Sequence, residues 1–223
     1  PLNLRFLLGK LQETVNTGVS SIVVETGDSW FLGEKLRLPD STQYHVQMQY
    51  GSCGWALPAS LGVALASLSR VQQPESKDSS TADTLLSTMI HQIAPKRILA
   101  LIGDGSMQFS IQELSTLIRH NLDVTIILLN NQTYTIEVQI HDGIYNEIPN
   151  WKYAELVDAM RDNNQQARGM KATTNMELSQ ALDYSAHHRG LLLVECCLNK
   201  DDCTSSLLEW GSRVAMANMR QKP

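Results

Sequence analysis

Four short apolar runs divide the chain: Ser21–Val24, Ile98–Ile102, Val124–Leu129 and Leu191–Val194. Each is continuous rather than alternating, which is how strands buried on both faces read. Helical patterns lie between them. Residues 2–15 carry Leu4, Leu7, Leu8, Leu11 and Val15 at helical spacing, and residues 54–69 are rich in Ala and Leu. Residues 110–120 set Ile111, Leu114, Leu117 and Ile118 on one stripe, and 174–188 and 204–218 read the same way. Strands alternating with helices predict an α/β fold, a parallel sheet with helices on both faces. Ligands of such sheets bind at the carboxyl ends of the strands.

Two polar stretches interrupt the pattern. Residues 70–84 predict a surface loop or insert, extended to about 96 by a short amphipathic helix (Leu85, Leu86, Met89, Ile90, Ile93) before Pro95. Residues 161–169 predict a second exposed loop. A length of 223 residues fits one domain spanning 1–223.

Composition narrows the function classes. The chain is 43% hydrophobic and 18% charged, with a net charge of -5. No Lys/Arg cluster marks a phosphate-binding face, so nucleic acid is not expected as a partner. No apolar run approaches bilayer length, and the expected location is cytoplasmic. Cys53, Cys196, Cys197 and Cys203 form no CxxC pair and read as free thiols, the Cys196–Cys197 doublet inside a buried strand. His187–His188 reads as a solvated helix face. Pro1 in place of a methionine suggests a processed start or a piece of a longer chain.

The chemistry concentrates at "GDGSMQFSIQELSTLIRHNLDVTIILLNN", residues 103–131. Asp104 follows one predicted strand and opens a helix, flanked by Gly103 and Gly105, which permit close backbone approach. The N–H groups of Gly105 and Ser106 are expected to point outward at the helix start, suiting a phosphate. Asn130–Asn131 ends the neighbouring strand in the same way. A carboxylate, an amide oxygen and phosphate oxygens make an oxygen-only site of the type that binds magnesium. The two strand ends are therefore expected to hold a magnesium diphosphate.

That pairing resembles the thiamine diphosphate (ThDP) motif, GDG then NN across a βαβ unit. "VVETGDSWF" at 23–31, "MQYGSCGWALPASLG" at 48–62, "YTIEVQIHDGIYNEIPNWKYAEL" at 134–156 and "DDCTSSLLEWGSRVAMAN" at 201–218 extend the resemblance over nearly the whole chain. Together they look like the cofactor-anchoring C-terminal domain of the pyruvate decarboxylase family. The resemblance implies ThDP and Mg2+ as cofactors, with Asp104, the Asn131 side chain and the Thr133 carbonyl as metal ligands. It also implies diphosphate contacts from Gly105, Ser106, the Ile136 backbone and Asp28. Gly51, Ser52 and Cys53 would lie under the aminopyrimidine ring, and Gln132, Tyr134 and Thr135 in the same cofactor-binding stretch as Asn131 and Thr133. Glu137 matches the catalytic glutamate, and Thr26 a threonine near the substrate.

The activity implied is decarboxylation of a 2-oxo acid, pyruvate above others, with the cofactor ring as electron sink and Glu137 managing the proton. Cys53 stands where the family has a larger aliphatic residue that bends the cofactor, and Thr133 where it has glycine. The family's N-terminal pyrimidine-binding and middle domains have no counterpart here. The implied partner is therefore that pyrimidine-binding domain, supplied by a neighbouring subunit of a homodimer or homotetramer. Alternatives are the cofactor subunit of a split decarboxylase, or a non-catalytic domain that keeps the fold.

Overall fold

A computed structural model describes residues 1–72, 97–163 and 166–219. The first helix, α1 (Leu4–Asn16), starts at Asn3, whose side chain accepts the Phe6 N–H at 2.9 Å. Its buried stripe is Leu4, Leu7, Leu11 and Val15. Then come β1 (Val19–Val24), the short α2 (Asp28–Gly33), β2 (Gln43–Val46) and α3 (Ala56–Gln72). β3 (Arg97–Gly103) leads into α4 (Asp104–Ser110), α5 (Glu113–Arg119) and β4 (Val124–Asn130). After α6 (Thr135–Ile140) and a 3-10 turn at Ile144–Asn146 come α7 (Tyr153–Met160), β5 (Ala167–Ala172) and α8 (Asn175–Ser185). β6 (Leu191–Cys197) and α9 (Ser205–Asn218) complete the order.

The six strands form one sheet in the order β2-β1-β3-β4-β6-β5, and every neighbouring pair is parallel. The continuous apolar runs explain how both faces are covered, because successive side chains point to opposite sides. Leu99 and Leu101 of β3 join Ile127 and Leu129 of β4 in a core shared with α1, α2 and α8. Ile98, Ala100 and Ile102 join Val124, Ile126 and Leu128 in a second core, built with α3, α4, α5 and α7. The fold is thus the expected parallel α/β sheet with helices on both faces. No described helix is long and apolar enough to cross a membrane.

Several local expectations need correction. β2 and β5 were not anticipated from the pattern, because both are edge strands. With a neighbour on one side only, β2 (Gln-Tyr-His-Val) and β5 (Ala-Arg-Gly-Met-Lys-Ala) carry polar residues that a central strand would not. Residues 167–169 therefore belong to β5 and not to an exposed loop, and Ala167 is buried. The helix expected at 110–120 is the shorter α5, set off from α4, the helix that opens at Asp104, by a break at Ile111–Gln112. α3 runs to Gln72, into the stretch read as a loop. Residues 73–96, including the helix expected between Leu85 and Ile93, lie outside the described residues. His187 and His188 fall beyond the end of α8; His187 is exposed, but His188 is half-buried and stacks on Tyr184 with centroids 5.0 Å apart. The pair is not a solvated helix face.

Candidate functional site

The chain leaves β1 toward β2 on one side of the sheet, and β3 lies on the other side of β1. Loops following β1 and β3 thus depart in opposite directions, which opens a crevice at their carboxyl ends. Registers Val24↔Leu101 and Gly103↔Leu129 align the ends of β1, β3 and β4 along this edge.

Asp104 stands at the centre of it, 3% exposed. One carboxylate oxygen accepts the Gln132 N–H at 2.7 Å and the other accepts the Gly105 N–H at 2.8 Å. The Gly105 amide is therefore turned onto its neighbouring carboxylate rather than left free, contrary to expectation. None of the ion pairs among the described residues involves Asp104. Burial pushes its carboxyl up to about 6, with the Gln132 and Gly105 N–H groups pulling the other way.

The turn after β4 meets this carboxylate. Gln132 adopts a left-handed conformation (φ 63°), which lets its N–H point back toward Asp104. Asn131 is buried; its amide nitrogen donates to Thr135 Oγ1 at 2.5 Å, and its oxygen lies 3.4 Å from the Thr133 nitrogen. Asn146 holds the turn from outside, its carbonyl accepting from Tyr134 N–H at 2.9 Å and Thr133 Oγ1 at 3.0 Å. The Tyr134 ring covers Gly105 so closely that a Cβ there would overlap it. A side chain at 105 would have to displace that ring.

Two further carboxylates fasten the β1 end. Asp28 Oδ1 accepts Thr204 Oγ1 at 2.9 Å, while the same Thr204 oxygen caps α9 by accepting the Leu207 N–H at 3.2 Å. Burial raises the Asp28 carboxyl above its ordinary range. Glu25, 1% exposed, accepts the Ala56 N–H at 2.9 Å and the Thr26 N–H at 3.0 Å. It ties the start of α3 to the end of β1, and burial raises its carboxyl too.

These elements enclose a cavity of about 80 Å³. The structure brings Thr26, Asp28, Cys53, Asp104, Gly105, Ser106, Asn131, Thr133, Tyr134, Thr135, Ile136 and Glu137 together in its wall. Gly51, Ser52 and Gln132 do not line it. Gln132 contributes the backbone grip on Asp104. Gly51 lies beside Thr26, a Cβ there falling 3.5 Å from Thr26 Oγ1, and Ser52 donates its N–H to Gln47 Oε1 at 3.3 Å.

Sequence reasoning passed over Glu25, Thr204 and Glu195. Glu195 is 1% exposed in β6 and accepts Asn130 Nδ2 at 2.8 Å and the Ala154 N–H at 3.1 Å. Asn130 therefore braces the sheet, while Asn131 faces the cavity. The available signal was a charged residue inside or just after an apolar strand, a position where an unpaired charge is untenable.

The donor set suits a hard cation. Among the described residues no cluster of three His, Cys, Asp or Glu side chains is placed to hold a metal, so a cation here draws on Asp104 together with amide and carbonyl oxygens. A buried carboxylate without a paired base is what such a cation stabilises.

Residues 25–196 match the family model for the thiamine pyrophosphate enzyme C-terminal TPP binding domain. The chain is 38% identical over 221 residues to a pyruvate decarboxylase of Neurospora crassa, covering 99% of this chain and 34% of that protein. It is 40% identical over 222 residues to pyruvate decarboxylase 1 of Arabidopsis thaliana, covering 99% of this chain and 32% of the relative. It thus spans about a third of the length of these relatives. A solved thiamine diphosphate-dependent 4-hydroxybenzoylformate decarboxylase of Rhodococcus jostii RHA1 superposes with a TM-score of 0.67 at 20% identity, over 90% of this chain and 33% of that one. At that identity the likeness speaks for the fold alone. Since the family match embraces β3 and β4 and the turns after β1, β3 and β4 that build the cavity, this chain belongs to the thiamine pyrophosphate enzymes, as a C-terminal TPP-binding domain related to that of the pyruvate decarboxylases.

Proposed function

We propose that the chain is the ThDP- and magnesium-anchoring part of an enzyme that decarboxylates a 2-oxo acid, pyruvate to acetaldehyde and carbon dioxide. The observation that carries this reading is the meeting of Asp104, Asn131 and Glu137 on one cavity at the ends of adjacent strands. Asp104, the Asn131 side-chain oxygen and the Thr133 carbonyl would hold Mg2+. Ser106 and the Ile136 backbone would hold the diphosphate, with Gly105 and Asp28 beside it, the Gly105 N–H and the Asp28 carboxylate being engaged by Asp104 and Thr204. Gln132, Tyr134 and Thr135 shape the loop that closes over it, and Gly51, Ser52 and Cys53 support the aminopyrimidine ring.

Bound ThDP supplies the sink for the electron pair left when carbon dioxide departs. Glu137, in the first turn of α6, would supply the proton that the former carbonyl carbon takes up before the aldehyde leaves, with Thr26 near the substrate. The pyrimidine-binding domain of a neighbouring subunit completes the site in a homodimer or homotetramer, in the cytoplasm. The relatives' length supports this division of labour, since the chain matches a third of them. By itself the 223-residue chain is expected to release no acetaldehyde from pyruvate.

The test is a titration of ThDP into the metal-free native polypeptide that carries this chain, with and without Mg2+, followed by tryptophan fluorescence. Saturable binding that needs the metal supports the proposal, as does acetaldehyde formation from pyruvate by the loaded protein. Binding that is indifferent to Mg2+, or no binding at all, refutes it.

A further inference from the structure

A second cavity, of about 790 Å³, lies behind the turn that follows β4. Asn131, Thr133 and Thr135 line both it and the smaller cavity at Asp104, so the turn is a wall with open space on either side. Close packing alone cannot hold such a wall in place. Hydrogen bonds from residues 146–148 hold it. Ile148 donates its N–H to the Gln132 carbonyl at 3.3 Å, and Thr133 pairs with Glu147 in an isolated antiparallel bridge.

Asn146 makes the closest of these attachments. It is 3% exposed and lines the outer cavity, not the inner one. Its side-chain nitrogen donates to the His141 carbonyl at 3.0 Å, and its own N–H to that of Gly143 at 3.0 Å. Both bonds fix the 3-10 turn and with it the direction of the Asn146 carbonyl. That carbonyl accepts the Tyr134 N–H at 2.9 Å and the Thr133 hydroxyl at 3.0 Å. The Tyr134 N–H and the Thr133 C=O belong to one planar, trans peptide unit, in which the two groups point in opposite directions. Gripping the N–H from outside therefore aims the Thr133 carbonyl away from Asn146. The Thr133 hydroxyl adds a second bond to the same acceptor and resists rotation of that peptide.

We infer that Asn146 and the Thr133 hydroxyl are positioning residues for the metal site, acting through the direction of the Thr133 carbonyl, and that their grip favours Mg2+ over larger cations. The inference rests on the ThDP and magnesium reading above. Mg2+ requires short, near-octahedral oxygen contacts, whereas Ca2+ accepts longer and less regular ones. A carbonyl free to swing costs the smaller ion more.

Thr133→Val, Thr133→Ser and Asn146→Ala test it in the metal-free native polypeptide that carries this chain. Dissociation constants for ThDP are measured in Mg2+ and in Ca2+. Thr133→Val keeps the side chain's shape and the backbone carbonyl but loses the donor, which Thr133→Ser retains. Loss of one hydrogen bond weakens Mg2+-supported binding roughly fivefold in Thr133→Val and Asn146→Ala, with a smaller loss in Ca2+, so the ratio of the two constants changes. Thr133→Ser keeps the parent's ratio. A merely structural role weakens binding equally with both metals. An unchanged ratio in both Thr133→Val and Asn146→Ala, with the parent still binding, overturns this inference alone. Failure of the unsubstituted protein to bind ThDP with Mg2+ sinks the functional reading and this inference with it.

Discussion

The Asp104 carboxylate accepts the backbone N–H of Gln132 at 2.7 Å, joining the ends of β3 and β4 across 28 residues of sequence. With its other oxygen on the Gly105 N–H, this side chain sets both turns that enclose the cavity. The same group therefore shapes the ligand-free site and, in the proposed function, carries the metal.

Stability and metal affinity should respond to pH in opposite directions through Asp104. Its folded-state value of about 6 exceeds the ordinary 3.8, so above about pH 6 the protein bears the cost of a buried charge. As pH falls from about 6 toward 3.8, the folded chain takes up the proton first and this group's contribution to stability rises, by at most on the order of 3 kcal/mol. Bound Mg2+ favours the carboxylate, so its affinity weakens over the same interval. Compared with Asp104→Asn, which cannot titrate, the ligand-free parent should gain melting temperature between neutral pH and about pH 4. An offset between the two that stays constant across that range would contradict the assignment.

Glu137→Gln separates binding from chemistry. The substitution keeps the side chain's size in the first turn of α6 while removing its proton. In the loaded native enzyme, kcat for pyruvate should fall by roughly 10²-fold or more, the usual scale of general acid–base catalysis, with ThDP affinity nearly unchanged. Equal losses in both would make Glu137 a binding residue.

Glu195→Ala should destabilise the domain by about 2–4 kcal/mol, read from urea denaturation, because it strands the Ala154 N–H in the interior and leaves the Asn130 amide with Asn150 alone. Lys171, 3.6 Å away but half exposed, adds little. A loss under about 1 kcal/mol would mean that water replaces the carboxylate.

Gly169→Ala probes the packing of α7 on β5. A Cβ at this position overlaps the Ala154 carbonyl, which is backbone and cannot swing aside. A cost of about 1–3 kcal/mol is expected, with ThDP affinity preserved because β5 is the far edge strand. Thermal unfolding together with a ThDP titration checks both halves.

The sequence by itself determined the four central strands and most of the helices. A strand covered on both faces must be apolar throughout, so β1, β3, β4 and β6 announce themselves, whereas the edge strands β2 and β5 are free to be polar and do not. It also identified Asp104 and Asn131 as a pair, because a strand–helix–strand unit between them returns the chain to the same edge of the sheet. Tertiary structure alone decided how the pair is built in: Asp28 meeting Thr204 from 176 residues away, Glu25 holding the start of α3, and Tyr134 lying over Gly105. Periodicity reports which side of an element is buried. A hydrogen bond depends on which atoms come within about 3 Å after the elements pack, and that distance is written in no local pattern.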